Sequence, residues 1–179
     1  MSDDKVTPSR QQYLDVKRQH PGAIVFFRLG DFYETFDDDA AIVARELDLV
    51  LTSRPQGKGQ RIPMAGVPHH AAEGYIGRLI AKGYKIALAE QIGNETVGGL
   101  MPREVVRVFT AGTIIEPGML DAGRNNYLVA IVTERDDNEL RAGLAYADVT
   151  TGEFATTQLP SDHALREELA RLAPAELLL

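Results

Sequence analysis

The chain has 179 residues, of which 44% are hydrophobic and 25% are charged, which is the composition of an ordinary globular protein. It contains no cysteine, which excludes disulfide bonds, zinc–thiolate sites and a cysteine nucleophile. No apolar run approaches the roughly 18 residues that cross a membrane, and the N-terminal stretch is polar and acidic, unlike a secretory signal. We therefore expect a cytoplasmic protein.

The formal net charge of −7 argues against nucleic acid as a partner, because binding to phosphates needs a basic surface. This charge is distributed unevenly along the chain. Residues 1–118 contain 14 basic and 15 acidic residues, whereas residues 119–179 contain 5 and 11. A modest basic face is thus compatible with the first part of the chain.

The first predicted elements are a helix, a strand and a second extended segment. Between Pro8 and Pro21, the apolar residues of PSRQQYLDVKRQHPG predict the helix. The apolar run AIVFF predicts a buried strand. Gly30 separates this run from DFYETF, in which Phe32, Glu34 and Phe36 alternate as in a second strand or a hairpin arm.

A second helix is predicted over AAIVARELDLVL, directly after the acids Asp37, Asp38 and Asp39. Aspartate at the start of a helix caps free backbone amides and lies at the positive end of the helix dipole. The simplest interpretation of these three acids is therefore structural.

The segment TSRPQGKGQRIPMAGVPHH is rich in proline and glycine, which predicts a loop over most of its length. It contains Arg54, Lys58 and Arg61 and no acid, so it is the best local basic patch. A helix over AAEGYIGRLIAKG, ending near Gly83, and strands over YKIALAEQI and REVVRVFTAGTII follow. Helices interleaved with strands predict an α/β domain with a mixed sheet flanked by helices.

The proline, glycine and asparagine residues of EPGMLDAGRNN predict a domain boundary. We expect a first domain over 8–117, a linker over 118–126 and a second domain over 127–179. The second domain begins with three strands, YLVAIVTE, RAGLAYADV and GEFATTQL, which form a meander. A helix capped by Ser161 and a final strand in PAELLL follow, and an end on an apolar strand indicates an incomplete domain.

Phe32 and Glu34 allow two interpretations. Spacing alone favours a core phenylalanine and a solvated glutamate on a strand. The functional alternative is an aromatic wedge beside a polar group that contacts a base. An aromatic ring pushed between base steps unstacks them at a cost of roughly a few kcal/mol, which is smaller where the bases are already poorly paired. Such a wedge would detect a mismatch because DNA deforms more easily at a mismatched base step.

Two other groups of residues are candidates for a metal or catalytic site. His69, His70 and Glu73 have a superficial metal-ligand spacing, but a role at the entry of a helix is the stronger interpretation. The acids Asp37 to Asp39, and Asp148 in the second domain, leave open a metal-dependent nuclease of the ribonuclease-H-like type, which needs carboxylates that converge on two metal ions. Neither a nucleophile elbow nor a phosphate loop is present in the sequence.

Five blocks of the sequence closely resemble the N-terminal mismatch-binding domain of the bacterial MutS DNA mismatch-repair family. In order, they are FFRLGDFYETF, LTSR, IPMAGVPHH, LAEQIG and VRVFTAGTI. The resemblance covers about Gln11 to Pro117. The stretch from NNYLVAIV through YADVTTGEF is similar to the start of the family's connector domain, which has a ribonuclease-H-like α/β fold without that enzyme's catalytic role. Five ordered blocks are far more specific than a single Phe-x-Glu, so they favour the functional interpretation.

The resemblance implies that Phe32 stacks on a mispaired or unpaired base from the minor groove and that Glu34 forms a hydrogen bond with that base. Arg54, Lys58 and Arg61 are then expected to contact the DNA backbone. The implied partners are mismatched double-stranded DNA and, through the connector domain, other mismatch-repair proteins. The expected location is the bacterial cytoplasm, in association with the nucleoid.

No catalytic residue and no metal ligand are predicted in this chain. In the family, ATP and Mg²⁺ bind a C-terminal ATPase domain whose phosphate loop this sequence lacks, and the dimer interface is built largely by that ATPase. We therefore expect a DNA-binding portion without enzymatic activity.

Overall fold

The computed structural model describes residues 6–55, 60–93, 95–96, 99–136 and 139–179. The chain divides into two compact units, Met1–Phe109 and Thr110–Leu179. The division falls before the linker predicted at 118–126. Residues 110–117 belong to the second unit, in which Asn126 Nδ2 donates to Ala111 O at 2.9 Å.

Over its described residues, the first unit is a six-stranded mixed sheet with three α-helices, which confirms the predicted fold class. Its strand order is β3-β4-β2-β1-β5-β6, in which β1 and β5 are parallel and the other neighbours are antiparallel. In chain order the elements are α1 (Pro8–Gln19), β1 (Ala23–Leu29), β2 (Phe32–Phe36), α2 (Asp37–Leu47), β3 (Thr52–Pro55), β4 (Arg61–Pro68), a 3-10 turn (His69–Ala71), α3 (Ala72–Ile80), β5 (Lys85–Gln91) and β6 (Arg103–Phe109).

The core of the first unit forms around β1, whose apolar run is buried from Ala23 to Phe27. On one face of the sheet, Val25 and Phe27 pack against Tyr13 and Val16 of α1. The Tyr13 ring lies edge-on to Phe27, with the ring centroids 5.8 Å apart. A fully buried aliphatic or aromatic side chain contributes about 1.5–3 kcal/mol, so this packing fixes α1 on the sheet.

The segment predicted as mostly loop between Thr52 and His70 instead forms β3 and β4. This prediction was wrong because pairing with neighbours overrides the local preference of proline and glycine. Ala65 and Val67 of β4 are buried, and β4 pairs with β2 on one side and with β3 on the other. The neighbouring strands thus supply the hydrogen bonds that the segment's own composition does not predict.

The acids at the start of α2 differ in their environments. They lie in the first turn, where the helix dipole favours negative charge, but the N-cap residue of the helix is Phe36, which makes no side-chain capping hydrogen bond. Asp37 pairs with Arg10, and Asp38 is exposed. The predicted capping by aspartate is therefore wrong, whereas the structural role is confirmed.

Asp39 turns its carboxylate into the protein and is only 4% exposed. Its oxygens accept hydrogen bonds from the Val25 backbone N–H at 3.0 Å, from the Tyr13 hydroxyl at 3.1 Å and from Lys17 Nζ at 2.7 Å. One buried carboxylate thus joins α1, β1 and α2. A buried charge is tolerated when it is paired and hydrogen-bonded in this way.

In the described residues, the second unit is a four-stranded sheet of order β10-β7-β8-β9 with one α-helix and a short 3-10 turn (Pro117–Met119). Its elements are β7 (Tyr127–Asp136), β8 (Glu139–Asp148), β9 (Glu153–Leu159), α4 (Asp162–Leu172) and β10 (Glu176–Leu178). The strands β7, β8 and β9 form the predicted antiparallel meander, and Ser161 Oγ caps α4 by accepting from Ala164 N at 3.2 Å. Among the residues that the structure describes, no helix of either unit is long and apolar enough to cross a membrane.

Replacing Asp39 with alanine is expected to lower the free energy of unfolding by about 3 kcal/mol, because the buried Val25 N–H loses its acceptor and the Lys17 ammonium, which keeps its hydrogen bond to Ala23 O, loses its counter-ion. Asp38→Ala removes the same charge from an exposed neighbouring position and should change stability by less than about 1 kcal/mol. Chemical denaturation of both variants measures the difference. Equal effects of the two substitutions would contradict the structural role of Asp39.

Candidate nucleic-acid interface

Phe32 lies at the tip of the hairpin formed by β1 and β2. Leu29 pairs with Phe32, so the connection consists of Gly30 and Asp31 alone. Gly30 has a φ of +58°, which suits the first central position of a type II′ hairpin turn, where glycine avoids a steric penalty. Phe32 follows this tight turn and is 46% exposed. A core phenylalanine, the interpretation that spacing alone favoured, is therefore wrong.

Tyr33 points to the opposite face of β2 and is only 6% exposed. Its hydroxyl donates to Glu90 Oε1 on β5, and the Arg28 guanidinium lies 5.5 Å from its ring centroid. Thr35, two residues further along, is buried and donates to Ala65 O at 3.0 Å. These contacts hold the hairpin while Phe32 remains accessible.

Glu34 lies on the same face of β2 as Phe32, since residues two apart in a strand share a face. Its side chain is 17% exposed, and its Oε2 accepts a hydrogen bond from Arg54 Nη1 at 3.0 Å. Burial raises the pKa of the Glu34 carboxyl above its usual range, whereas the charge and hydrogen bond of Arg54 act in the opposite direction. The balance between these two effects decides how readily Glu34 takes up a proton.

Gly66 on β4 provides the space for Glu34. It lies directly opposite Glu34 in the ladder of β2 and β4. A Cβ atom at this position would lie 3.2 Å from Tyr33 O and 3.4 Å from Glu34 Cγ. The absence of a side chain at Gly66 therefore lets the Glu34 side chain lie against the sheet.

The three basic residues predicted to contact DNA have different positions. Arg54, on β3, forms an ion pair with Glu34, and its side chain is still 45% exposed. Arg61, on β4, donates from Nε to Ser53 Oγ at 2.7 Å and from Nη2 to Ser53 O at 2.8 Å. Lys58 lies outside the described residues. The structure thus places Arg54 at Glu34 and holds Arg61 on the same pair of strands.

Arg103 is a member of this region that sequence reasoning missed. It lies at the start of β6, at the opposite edge of the sheet from β3, and its guanidinium lies 5.0 Å from the ring centroid of Phe27. Phe27 is the residue that pairs with Glu34. Burial, followed by the nearby charge of Arg54, lowers the pKa of Arg103. No local signal in the sequence links Arg103 to Glu34, because the sheet brings them together.

His69 and His70 lie in the 3-10 turn that leads into α3, in agreement with the predicted role at a helix entry. The His69 backbone N–H donates to Asp31 O at 2.9 Å, so the turn is attached to the hairpin. Glu73 is exposed on α3. Within the part of the chain that the structure describes, no three histidine, aspartate or glutamate side chains form a group that could hold a metal ion.

Asp148, considered above as a nuclease residue, is buried at the end of β8 and is 1% exposed. Its oxygens accept hydrogen bonds from Asn126 N at 3.0 Å, from Thr150 N at 2.9 Å and from Thr150 Oγ1 at 2.6 Å. These hydrogen bonds, led by that of the Thr150 hydroxyl, lower the pKa of Asp148. The carboxylate closes the turn between β8 and β9, which accounts for its burial without a metal ion.

Comparison with known proteins assigns both parts of the chain to one family. The model of MutS domain I matches residues 7–117, and the model of MutS domain II matches residues 126–179. The chain belongs to the MutS family. Phe32, Glu34 and Arg54 all lie within the domain I match, and Asp148 lies within the domain II match.

Several relatives named DNA mismatch repair protein MutS are about half identical to the chain. The relative from Dehalococcoides mccartyi is 50% identical over 177 residues, which are 98% of this chain and 20% of the relative. Relatives from Cereibacter sphaeroides and Symbiobacterium thermophilum are each 51% identical over 184 residues, covering 99% and 100% of this chain and 20% and 21% of the relative. The chain thus spans about a fifth of the length of these MutS proteins.

The hydrogen bonds of Asp148 predict an acid-sensitive second unit. Because its folded pKa is lowered, its contribution to stability is complete above the ordinary aspartate pKa of about 3.9 and is lost as the pH falls through the lower folded value. Wild type should therefore be more stable than Asp148→Asn near neutral pH, and the difference should shrink in acid.

Unfolding of the second unit, followed by its amide resonances over a pH series, measures this difference. Glu167→Gln, at a side chain that is 73% exposed, controls for the loss of one negative charge and should leave the pH dependence close to that of wild type. A stability difference between wild type and Asp148→Asn that does not vary with pH would contradict the prediction.

Proposed function

We propose that this chain recognises mismatched or unpaired bases in double-stranded DNA, as the non-catalytic DNA-binding part of a mismatch-repair protein. Phe32 inserts beside the base from the minor groove and stacks on it, and Glu34 forms a hydrogen bond with the same base. The observation that carries this proposal is the pairing of an exposed phenylalanine with a half-buried carboxylate on one face of a tightly held hairpin. Membership of the MutS family supports it.

Insertion of Phe32 distinguishes a mismatched from an intact duplex, because unstacking the bases costs more free energy in the intact duplex. A well-paired step resists the wedge, whereas a mismatched step has already lost part of its stacking and pairing energy. The ring is exposed before binding, so little of the folded structure has to change to present it. A ring that is held in place distinguishes mismatched from well-paired base steps better than a mobile ring, because a mobile ring could turn away from a base step that resists insertion.

The charge and hydrogen bonding of Glu34 add a second means of discrimination to the unstacking by Phe32. A carboxylate near phosphates is repelled, and burial already favours its protonated form. Protonated Glu34 donates a hydrogen bond to a ring nitrogen of the base, which an ionised carboxylate would repel. Engagement of well-paired DNA leaves the charge uncompensated, so Glu34 penalises binding where no base is available to accept its proton.

The remaining functional assignments are part of the same proposal. Arg54, Lys58 and Arg61 contact backbone phosphates, and the chain acts in the bacterial cytoplasm, on DNA of the nucleoid. The second unit docks other mismatch-repair proteins; its acidic composition, with 11 acidic and 5 basic residues over 119–179, favours a protein partner over DNA. ATP hydrolysis and dimerisation belong to domains of the family other than these two.

Phe32→Ala should weaken binding to a mismatched duplex by about tenfold or more, since stacking of one base on an aromatic ring contributes about 1–3 kcal/mol. Thermal unfolding should change little, because the ring is 46% exposed. Phe154→Ala removes a phenylalanine that is 69% exposed in the second unit and should leave DNA affinity unchanged. If Phe32→Ala retained full affinity for mismatched DNA, the wedge would be refuted.

Substitutions of Glu34 separate its charge from its hydrogen bond. Both Glu34→Gln and Glu34→Ala should bind matched duplex more tightly, because each removes the negative charge. Only the alanine variant also loses the donor for the mismatched base. Affinities for matched and mismatched duplexes, measured side by side, give the preference, and Glu104→Gln on β6 is the control for net charge. A preference that stays at the wild-type value in both Glu34 variants would exclude this role.

A further inference from the structure

Glu34 is not free in the unbound protein, because its carboxylate is held by Arg54. The Nη1–Oε2 distance is 3.0 Å, and the Glu34 side chain is 17% exposed against 45% for Arg54. The carboxylate is thus the more buried partner, whereas the guanidinium is accessible to solvent. A base could engage Glu34 fully only if this ion pair were released or shared.

A second guanidinium lies close to this ion pair. Arg103 lies over Phe27, the residue opposite Glu34 on β1, and is held by Arg28 O at 2.6 Å, Met101 O at 2.9 Å and Gln12 Oε1 at 3.2 Å. These three acceptors hold Arg103 in place, whereas the contacts among the described residues give Arg54 one carboxylate partner, Glu34. Arg103 and Arg54 both carry a positive charge and repel each other. The fixed Arg103 therefore weakens the attraction that keeps Arg54 at Glu34.

The other elements around Glu34 contribute little charge. The residues directly opposite it on β1 and β4 are Phe27 and Gly66, which are uncharged. Arg54 also borders a small groove with Arg10, whose charge is offset by its ion pair with Asp37. Within the part of the chain that the structure describes, the charged groups that face Glu34 or its partner are therefore Arg54, Arg103 and the Arg10–Asp37 pair. Among them, the described contacts pair Glu34 with Arg54 alone.

We infer that Arg54 is a positioning residue that exchanges partners when DNA binds. In the free protein it neutralises Glu34 and holds the carboxylate against the sheet. On DNA, which offers a denser array of negative charge, the guanidinium moves to a backbone phosphate and leaves Glu34 to the base. This inference rests on the proposed function of Glu34 and adds to it a link between phosphate contact and base contact.

The exchange has a physical advantage for a protein that must sample mostly intact DNA. Guanidinium pairs with phosphate as well as with carboxylate, so Arg54 keeps an anionic partner throughout. Loss of Arg54 removes the group that favours the ionised form of Glu34, and Glu34 is then more readily protonated. Contact with the backbone thereby prepares the carboxyl group to donate to a base.

The first test concerns the free chain and needs no DNA. The titration of Glu34, followed by its side-chain carboxyl carbon in NMR, should move to higher pH in Arg54→Gln, because a nearby positive charge is lost. Arg54→Lys retains the charge and should stay close to wild type. Arg61→Gln, whose guanidinium binds Ser53 and not Glu34, should not move it. No movement in Arg54→Gln, or an equal movement in Arg61→Gln, would overturn the counter-ion role.

The second test concerns the exchange itself, with a short duplex that contains one mismatch. The slope of log affinity against log salt should be less steep by about 1 in Arg54→Gln than in wild type, as for one lost phosphate contact. The affinity loss caused by Arg54→Gln should be larger in a Glu34→Gln background, because there no ion pair has to be broken to reach the phosphate. An unchanged slope, or equal losses in both backgrounds, would show that Arg54 does not change partners.

The two proposals fail in different ways. If wild type bound mismatched and matched duplexes equally, the proposed function would be wrong, whatever Arg54 does. If wild type preferred the mismatch while the salt slope and the double-substitution comparison showed no role for Arg54, the exchange and the phosphate contact assigned to Arg54 would be wrong, whereas mismatch recognition by Phe32 and Glu34 would stand. The Glu34 titration in the free chain tests the counter-ion role independently of both.

Discussion

The alternation of side chains along β2 is the constraint on which the candidate interface depends. Tyr33 and Thr35 are buried and hydrogen-bonded on one face, so Phe32 and Glu34 must lie on the other. A slip of one residue in the pairing with β1 or β4 would bury Phe32 and expose Tyr33. The two-residue connection at Gly30 and the inward contacts of Tyr33 and Thr35 both specify the register that keeps Phe32 accessible.

The electrostatics of this face come from strands that are distant in the sheet. Arg54 lies on one edge strand and Arg103 on the other, yet both guanidinium groups lie near the hairpin that carries Glu34. Burial raises the pKa of the Glu34 carboxyl, whereas the charge and hydrogen bond of Arg54 act to lower it. A change in either the burial of Glu34 or the position of Arg54 therefore changes how readily this carboxyl takes up a proton.

Much of the fold could be predicted from local pattern, because the decisive signals are local. The apolar run of β1, the glycine of the hairpin, the spacing in α2 and α3 and the Ser161 cap all appear within a few residues. The strands β3 and β4 could not be predicted, since they are determined by pairing with β2 and not by their own composition. Pattern alone also favoured a buried Phe32, and only the five ordered blocks of family resemblance pointed to a site. Arg103 gave no signal, because its proximity to Glu34 exists only in the folded sheet.

The buried Asp39 carboxylate defines the smallest part of the chain that can present this face. Its hydrogen bonds to Val25 N, Tyr13 and Lys17 make α1 a part of the folded core and not a dispensable leading arm. A shorter polypeptide that starts after α1 would leave a buried negative charge without its ammonium partner and would uncover the ring of Phe27, over which Arg103 lies. The geometry of the hairpin thus depends in part on α1, which packs on the face of the sheet that carries Phe32 and Glu34.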